Sequence, residues 1–449
     1  MFENKKFFIK THGCQMNEYD SEKLSDILKY NLKMSQTINL EEADILFLNT
    51  CSIREKAQEK VFSELGRWKK FKIKKPNMLI AVGGCVAAQE GENLKSRSPQ
   101  VDIIFGPQTI HRLPKMIRQA YSSNKKLTDV SFPEIEKFDF LPKSTNKTPS
   151  AYVSIMEGCS KYCTFCIVPY TRGEEVNRRF DDILHEVYSL SKLGTKEIIL
   201  LGQNVNAYKS KMNDGDDADL ASLIKHISHI DEIQRIRYTT SHPIDFSENL
   251  INEYNNFKLA NNLHLPIQSG SDKILSKMKR KHTVLEYKSI IKKVRELRPN
   301  ISLTSDFIVG YPGETNDDFE DTLNLVEDLK FDDGYSFIYS PRPGTPAMYE
   351  KDSIQDSIKK KRLQQLQQLL KSMNREYANR ILGTEEKILV EGYSKRNKSE
   401  LFGRTSSNKV VNFNGLSDLI GKFVNVEIIE IKSTTLRGKF LNLSESTNL

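Results

Sequence analysis

The chain has 449 residues, enough for about three domains of roughly 150 residues each, and this length excludes a small fold held together by disulfides. Hydrophobic residues make up 38% and charged residues 28% of the sequence, and no stretch approaches the ~20 apolar residues of a membrane span, so we expect a cytoplasmic protein without a membrane segment. The excess of 67 Lys and Arg over 59 Asp and Glu permits a polyanionic partner without requiring one.

Six cysteines are the feature of this sequence that most requires an explanation. From the start to about residue 122, short apolar runs alternate with amphipathic helices, which predicts βαβ units and a parallel sheet. Each of the first three cysteines follows one of these strands: Cys14 after residues 6–10, Cys51 after 44–48 and Cys85 after 78–82. The carboxyl ends of parallel strands form one edge of a sheet, so we expect these three thiols to converge there.

A polar segment with several prolines, at about residues 123–145, predicts a linker. The βα series after it has predicted strands at residues 152–156, 197–201, 235–239, 263–267, 302–308 and 335–339. Helices are predicted at residues 181–192, 220–229, 272–279, 284–297 and 317–329. Such a series is typical of an incomplete β/α barrel, in which polar residues at the C-terminal ends of the strands face the ligand.

The last part of the chain has a different sequence pattern. A long helix predicted at residues 353–380 leads into short strand-like runs separated by Gly or Asn, which predict a small all-β barrel. The basic side chains of this barrel could follow a phosphate backbone or could simply form a solvated surface; they are Lys395, Arg396, Lys398, Arg404, Lys409, Arg437 and Lys439. The predicted fold class is therefore α/β, with an N-terminal parallel sheet domain at residues 5–122, a partial (β/α)6 barrel at 145–378 and a small all-β barrel at 380–443.

The other three cysteines form a C-x-x-x-C-x-x-C motif of Cys159, Cys163 and Cys166, just after the first predicted barrel strand. Three thiolates on one loop can hold three irons of a cubane cluster and leave the fourth iron open to a substrate, whereas four cysteines would close the cluster. A structural zinc site fits poorly, because no fourth Cys or His follows at the usual spacing. A disulfide pair or an inert group of core cysteines is the structural alternative.

This motif, together with the aromatic Phe165 before its last cysteine, resembles the signature of the radical S-adenosylmethionine (SAM) superfamily, whose partial barrel matches the predicted strands. The resemblance implies that the three cysteines hold a 4Fe-4S cluster whose open iron binds the amino and carboxylate groups of SAM. One-electron cleavage of SAM then gives methionine and a 5′-deoxyadenosyl radical, which removes a hydrogen atom from a substrate C–H bond. The cofactor supplies the difficult chemistry and the protein supplies orientation and exclusion of solvent.

The chain around the first three cysteines resembles the N-terminal domain of methylthiotransferases, in the runs 11–21, 49–57 and 83–85, and the C-terminal barrel resembles the RNA-binding TRAM domain of the same family. The resemblance implies that Cys14, Cys51 and Cys85 hold a second 4Fe-4S cluster, at which a first SAM methylates a sulfide. A second SAM supplies the radical that takes hydrogen from C2 of an adenine, where the sulfur attaches. An sp² C–H bond offers no acidic proton to an ordinary base, which is why a radical is needed.

Within that family, residues 52–55 and 163–173 resemble the branch that methylthiolates N6-isopentenyladenosine next to the anticodon of tRNA. The implied partners are a tRNA carrying that nucleoside, an electron donor such as flavodoxin or ferredoxin, and iron-sulfur carrier proteins; we expect a monomer. One alternative is a methylthiotransferase acting on threonylcarbamoyladenosine in tRNA or on a ribosomal protein. A second alternative, of another class, is a noncatalytic RNA-binding iron-sulfur sensor.

Weaker signals mark further candidates for binding SAM, each with a structural alternative. Gly202, Gln203 and Asn204 follow the second barrel strand, where the family contacts the methionyl amino group, but a simple loop would look the same. Gln268 and Ser269 could contact the ribose, although the same residues suit a turn before a helix. Gly310 and Gly313 could let the backbone approach adenine, although Gly-Pro turns are common. Phe165 could pack on adenine or simply in the core. His12, His242 and His264 also lie near strand ends, but six cysteines already suffice for both clusters.

Overall fold

In the computed structural model of the protein, the structure describes residues 2–51, 55–123, 125–132, 136–139, 142 and 147–444. Residues 52–54, part of the run that resembles the isopentenyladenosine branch, lie outside the described residues. Among the helices described, none is both long and apolar enough to cross a membrane.

The N-terminal domain is a parallel sheet with helices on both faces. Its elements are β1 (Lys6–Thr11), α1 (Gln15–Leu32), β2 (Ser35–Gln36), β3 (Ile45–Thr50), α2 (Glu55–Lys74), β4 (Leu79–Gly84), α3 (Cys85–Glu90), α4 (Asn93–Arg97), β5 (Ile103–Phe105), α5 (Leu113–Ser123) and β6 (Leu127–Asp129). The strand order is β2-β1-β3-β4-β5-β6, and every neighbouring pair is parallel.

Alternation along the strands explains how this sheet is covered on both sides. Ile45 and Phe47 of β3 pack with α1 and α5 on one face, while Leu46 and Leu48 pack with α2 on the other, around the buried Trp68. Because both faces are buried, residues 45–48 of β3 and 79–82 of β4 are all apolar. The linker prediction is wrong at its start, since β6 lies within residues 123–145 and adds an edge strand to this sheet. The backbone N–H of Gly106 and the side chain of Thr109 also bond to the Asp129 carbonyl.

The second domain runs from the linker helix to the long helix after the barrel. Its elements are α6 (Glu136–Asp139), β7 (Ser150–Ser154), β8 (Met156–Glu157), α7 (Val168–Arg172), β9 (Val176–Asn177), α8 (Phe180–Lys192), β10 (Glu197–Leu201), β11 (Lys209–Lys211), β12 (Asp217–Asp219), α9 (Leu220–Ser228), β13 (Arg235–Tyr238), α10 (Glu248–Asn252), β14 (Asn262–His264), α11 (Asp272–Lys277), α12 (Val284–Leu297), β15 (Ser302–Val309), α13 (Asn316–Leu329), β16 (Asp333–Ile338) and α14 (Asp356–Ile381).

The barrel strands form two parallel three-stranded sheets, β7-β10-β13 and β14-β15-β16. The backbone of Ile236 joins them, because its N–H donates to the Lys258 carbonyl and its carbonyl accepts from the Ala260 N–H. The predicted incomplete β/α barrel is confirmed. Its inner face is partly filled by the first domain: Met16 and Tyr19, from the first turn of α1, pack on Ile199 and Leu201 of β10.

The C-terminal domain is a small closed β-barrel, as the sequence predicts. Its five strands have the order β17-β18-β19-β21-β20; β19 and β21 pair in parallel and the other neighbours are antiparallel. They are β17 (Glu385–Tyr393), β18 (Leu401–Thr405), β19 (Val410–Phe413), β20 (Phe423–Ile431) and β21 (Leu436–Leu443). The turn between β18 and β19 docks on the N-terminal ends of the β/α barrel strands. There the Arg237 guanidinium donates to the carbonyl oxygens of Thr405 and Ser406, and Arg235 donates to that of Arg404.

Three of the basic residues proposed to follow a phosphate backbone are engaged within the protein instead. Arg404 pairs with Glu391, Lys409 with Asp333 and Arg437 with Glu400. The exposed members of the set are Lys395, Arg396, Lys398 and Lys439. Lys395, Arg396 and Lys398 lie in the turn between β17 and β18, and Lys439 lies on β21.

Candidate active site

The first three cysteines lie at one edge of the N-terminal sheet. Cys14 precedes α1 just after β1, Cys51 follows β3, and Cys85 is the first residue of α3, directly after β4. These three strands are neighbours in the sheet. The strand order reverses between β1 and β3, which is the switch point where open α/β sheets bind their ligands.

A pair of buried asparagines holds this edge together. The Asn17 side-chain amide donates to the Asn49 side-chain oxygen at 3.2 Å and to the Thr50 carbonyl at 3.0 Å, and the Asn49 amide donates back to the Asn17 carbonyl at 2.8 Å. The start of α1 is thereby fixed to the end of β3. Gly84, with φ of +89°, lets β4 approach as well, because a Cβ there would lie 2.2 Å from the Thr50 carbonyl oxygen.

The electrostatics of this edge favour a thiolate. A hydrogen bond with the Cys51 thiol and the nearby positive charge of Arg172 together lower the pKa of Cys14 to about 6, against the effect of burial. A thiolate at neutral pH is the form of cysteine that binds metal.

All six cysteines, each of them within the described residues, are thiols rather than disulfides, which excludes the disulfide alternative in this structure.

The second cysteine set lies on the loop between β8 and α7. Gly158, just before Cys159, has φ of +78°, and a Cβ there would lie 1.9 Å from the Glu174 carbonyl oxygen, so only glycine allows this close turn. Burial raises the pKa of Cys159 to about 11 and that of Cys166 to about 12. Thiols with such pKa values become ligands when a bound metal supplies the compensating positive charge.

The donor chemistry of the two sets suits clusters rather than single ions. Within the described part of the chain, no three His, Cys, Asp or Glu side chains surround one metal-ion position. A cubane cluster does not require three donors around one metal position, because each cysteine binds a separate iron. The donor chemistry, two sets of three thiols with no fourth thiol available in the sequence, fits two such clusters that each keep an open iron.

Cys163 has a buried histidine and a buried arginine beside it. Its Sγ lies 3.8 Å from His242 Nε2 and 3.7 Å from Arg280 Nη1. Burial, together with the charge of Arg280, holds the pKa of His242 far below its usual value, so this imidazole is neutral. Arg280 is the cation next to the loop, and its other terminal nitrogen donates to the Pro266 carbonyl at 2.5 Å.

Around this loop, several buried polar atoms have no hydrogen-bond partner among the described residues: Gln203 Nε2, Asn204 Oδ1, Ser241 Oγ, Arg280 Nε and His282 Nε2. Leaving such atoms unpaired costs ~1–3 kcal/mol each, so a concentration of them indicates a polar ligand. The set offers an acceptor in Asn204 and donors in Gln203 and Arg280. An acceptor for an ammonium group and a cation for a carboxylate suit the amino-acid end of SAM.

Of the residues predicted after the second barrel strand, Gln203 and Asn204 lie at this site. The Gly158 N–H donates to Gln203 Oε1 at 2.5 Å, and the Asn204 amide donates to Asp245 Oδ2 at 2.7 Å; Asp245 in turn pairs with Lys161 of the cysteine loop. Gly202 has no room for a side chain, because a Cβ there would meet the Met156 sulfur at 2.5 Å.

The other predicted SAM-binding residues have local structural partners. Gln268 is 9% exposed and pairs through its backbone with β15, while the Ser269 hydroxyl is fully buried and accepts from the Ser271 N–H at 3.2 Å. The loop of Gly310 and Gly313 is held from α14, because the Gly310 N–H donates to Glu314, which pairs with Arg362 at 2.6 Å.

Phe165 packs into a small apolar cluster with residues of α11, β15 and the segment after β16: Ile274, Met278, Ile308, Tyr311, Tyr339 and Ala347. Its neighbour Thr164 bonds to the Tyr311 hydroxyl at 2.8 Å and accepts from the Ala347 N–H at 3.0 Å. The segment after β16 therefore lies directly against the cysteine loop.

The sequence motifs assign no role to several residues of the site. Arg280 and His282 lie after α11, far from the cysteines in sequence, whereas Asn17 and Asn49 lie within the family-like runs 11–21 and 49–57 but have no role predicted for them. Arg172 also belongs here: Cys85 and Cys14, with nearby carboxylates, raise the pKa of its guanidinium against the effect of burial.

Three protein-family profiles match consecutive parts of the chain. Residues 6–106 match "Uncharacterized protein family UPF0004", residues 153–326 match "Radical SAM superfamily" and residues 380–441 match "TRAM domain". The order of the three matches follows the order of the three structural domains.

Curated relatives match the chain from end to end. It is 56% identical, over 99% of its own length and 94% of theirs, to the tRNA-2-methylthio-N(6)-dimethylallyladenosine synthases of Vibrio cholerae and of Yersinia pseudotuberculosis. The protein of the same name from Yersinia pestis matches with the same identity and coverage.

Solved structures share the fold at low sequence identity. The radical SAM methyltransferase TsrM from Kitasatospora setae, solved with cobalamin and a [4Fe-4S] cluster, has a TM-score of 0.57 at 12% identity and covers 77% of each chain. The cobalamin-dependent radical SAM enzyme OxsB has a TM-score of 0.54 at 14% identity, covering 82% of this chain and 56% of its own.

Proposed function

The chain belongs to the family of tRNA-2-methylthio-N6-dimethylallyladenosine synthases, which are radical SAM enzymes, and from this membership we propose that it methylthiolates C2 of N6-isopentenyladenosine next to the anticodon of tRNA. The observation that carries the proposal is the 56% identity across 99% of the chain. The alternatives, a threonylcarbamoyladenosine or ribosomal-protein methylthiotransferase and a noncatalytic sensor, are not favoured by any relative reported above.

The enzyme uses SAM and 4Fe-4S clusters. When bound, these groups supply a methylated sulfur and a 5′-deoxyadenosyl radical that takes hydrogen from the adenine carbon. We assign Cys159, Cys163 and Cys166 to the cluster that binds SAM, and Cys14, Cys51 and Cys85 to the auxiliary cluster. The support is their grouping on one loop and at one sheet edge.

The chain's own residues orient the cofactor and exclude water. The acceptor Asn204 Oδ1 and the cation Arg280 are suited to the ammonium and carboxylate ends of SAM, because both are buried and keep unused hydrogen-bonding capacity. Met16 and Tyr19 of the first domain cover the inner face of the barrel beside them. Low solvent access protects a radical from side reactions.

The RNA approaches, in this proposal, across the rim of the cysteine loop. Tyr170 follows the loop and is 43% exposed, and Tyr349 on the adjacent segment is 79% exposed. A Cβ at Gly344 of that segment would lie 3.9 Å from the Tyr170 ring. Exposed aromatic rings of this kind stack unpaired bases, which an anticodon loop offers. The exposed basic turn at residues 395–399 of the C-terminal barrel is available for the phosphate backbone.

A flavodoxin or ferredoxin as electron donor, iron-sulfur carrier proteins, a monomeric state and a cytoplasmic location stay predictions. The support for a donor is chemical, since cleavage of SAM to a radical consumes one electron. The support for carriers is the need to assemble two clusters on one chain.

Mass spectrometry of tRNA nucleosides from a strain lacking this gene tests the function. We expect the 2-methylthio derivative to disappear and N6-isopentenyladenosine to accumulate, with recovery when the intact chain is supplied and none when Cys163→Ala is supplied. Unchanged methylthio nucleoside in the deletion strain would refute the proposal. Loss of methylthiolated threonylcarbamoyladenosine, or of a methylthiolated ribosomal protein, would favour the alternative enzymes.

A further inference from the structure

Four buried charged side chains form a closed ring between the two cysteine sets. The Arg172 guanidinium donates to Glu157 Oε1 at 2.6 Å and to Asp20 Oδ2 at 2.9 Å. The Lys137 ammonium donates to the other oxygen of each carboxylate, at 2.8 Å to Glu157 and 3.0 Å to Asp20. All four side chains are at most 4% exposed, and their formal charges cancel.

Each member of the ring comes from an element that leads to a cysteine or to the linker. Asp20 lies on α1, whose N-cap is Cys14, and Glu157 lies two residues before Cys159. Arg172 ends α7, six residues after Cys166, and Lys137 lies on α6 of the linker. The ring therefore connects the ends of both cysteine-bearing segments.

Arg172 makes further contacts with the auxiliary edge. Its carbonyl accepts from the side-chain amide of Gln108 in the first domain at 2.8 Å. Helix α7, which carries it, packs against α3, which begins at Cys85. Each of these contacts holds the Cys159 loop against the auxiliary edge rather than against solvent.

A buried ion-pair network is weak as a source of stability, because removing charges from water costs about as much as their attraction returns. Its best-attested use is to fix a unique arrangement, since a shifted arrangement would leave a buried charge unpaired. Here a shift between the first domain and the cysteine loop would break two of the four ion pairs. The ring is thus suited to hold the first domain and the Cys159 loop at one separation and in one relative orientation.

We propose that Asp20, Lys137, Glu157 and Arg172 form a positioning ring that sets how the auxiliary cysteine set faces the SAM-binding set, so that the substrate radical forms within reach of the sulfur to be transferred. This inference rests on the proposed function. None of the four residues contacts the reacting atoms; they act through the cysteine segments they join.

The test compares Asp20→Asn and Glu157→Gln with a matched control in the same domain interface. The control is Lys23→Met, which breaks the buried Lys23–Glu186 ion pair of 2.7 Å between α1 and α8, away from the cysteine loop. Anaerobically reconstituted full-length proteins are assayed for iron content and for the ratio of methylthio nucleoside to 5′-deoxyadenosine formed. Hydrogen exchange of the α1 and α7 amides is measured on the same proteins.

We expect the ring variants to keep iron and to keep cleaving SAM, while the product ratio falls at least tenfold and the α7 amides exchange faster. Lys23→Met should leave the product ratio at the wild-type value. An unchanged ratio in Asp20→Asn and Glu157→Gln would overturn the proposal, and so would an equal fall in Lys23→Met, because simple domain docking would then explain the effect.

Two further measurements keep the test decisive. If the neutral variants do not fold, Arg172→Lys takes their place, because lysine keeps the charge but cannot span both carboxylates, and an unchanged ratio in it would overturn the proposal. If the wild-type chain forms no methylthio nucleoside, the proposed function fails. Hydrogen exchange of the α7 amides still tests the positioning ring in that case, because equal exchange rates in Asp20→Asn and wild type would refute the role of the ring.

Discussion

The side-chain oxygen of Gln203 accepts a 2.5 Å hydrogen bond from the backbone N–H of Gly158, which joins the end of β10 to the residue before Cys159. The other end of the same amide, Nε2, is buried and unpaired within the described residues. Gln203 is therefore fixed on one side and available to a ligand on the other.

We predict that Gln203→Leu weakens SAM binding about tenfold, because it removes one donor to the cofactor and one anchor of the loop, worth ~1–2 kcal/mol together. Equilibrium binding of SAM to the reconstituted full-length protein measures this. Gln365→Leu, at an exposed position of α14, is the control and should bind as wild type does. Wild-type affinity in Gln203→Leu would show that this amide does not contact SAM.

The two cysteine sets can be separated by single substitutions. Cys51→Ala should lower the iron content by about half yet still cleave SAM to 5′-deoxyadenosine, because the Cys159 loop is intact, and it should form no methylthio product. Cys163→Ala should lose a similar share of iron and all SAM cleavage. Iron and sulfide analysis with product chromatography measures both. Full iron loading in Cys51→Ala would refute the auxiliary site, and retained SAM cleavage in Cys163→Ala would refute the role of the loop.

The sequence predicts the fold well where the pattern is local. The strands of the β/α barrel and the five-stranded C-terminal barrel are confirmed, because apolar runs and turn residues are properties of short segments. The short strand β6 is missed because Leu127–Asp129 has no apolar run of its own and becomes a strand only by pairing with β5. Tertiary pairing of this kind is not encoded in local composition.

The residues of the site also divide into those that local sequence predicts and those that it does not. The cysteines stand out through spacing, and Gln203 and Asn204 through their place after a strand. Arg280, Lys137 and Glu157 do not stand out. Asp20 and Arg172 lie within the family-like runs 11–21 and 163–173, but no role is predicted for them, because that role depends on which segments meet in space. Likewise the sequence leaves open whether Arg404 and Lys409 follow a phosphate backbone or form a solvated surface, and their ion pairs with Glu391 and Asp333 can be known only from the fold.

The exposed rings at the rim of the cysteine loop give a prediction about the RNA. Tyr170→Ala and Tyr349→Ala should each weaken tRNA binding about tenfold, since base–aromatic stacking contributes ~1–3 kcal/mol per base. Filter binding or anisotropy with tRNA carrying N6-isopentenyladenosine, at fixed salt, measures this. Tyr188→Ala is the control, because Tyr188 is 54% exposed on α8, which does not border the loop. Equal affinities in all three variants would exclude this rim as the RNA-binding surface.

The junction between the two barrels should be sensitive to acid through Glu197. Glu197 is fully buried at the start of β10 and pairs with Arg235 at 2.9 Å and Arg237 at 3.0 Å, the two arginines that also hold the β18–β19 turn. Burial opposes its ionisation, but the two guanidinium groups prevail and lower the pKa of Glu197 to about 2. Burial likewise lowers the pKa of Arg237, to about 10, so both partners remain charged at neutral pH.

Because the pKa of Glu197 in the folded state lies below its unfolded value of 4.5, its contribution to stability is fully present above pH 4.5 and is lost as the pH falls through about 2. The shift corresponds to about 3 kcal/mol. Glu197→Gln should therefore lower the free energy of unfolding by about that amount at pH 6, and the difference from wild type should shrink as the pH approaches 2. Urea unfolding followed by circular dichroism between pH 6 and pH 2 measures this, with Glu320→Gln at an exposed position of α13 as the control. A difference between Glu197→Gln and wild type that stays constant over this range would show that the ion pairs of Glu197 do not stabilise the junction.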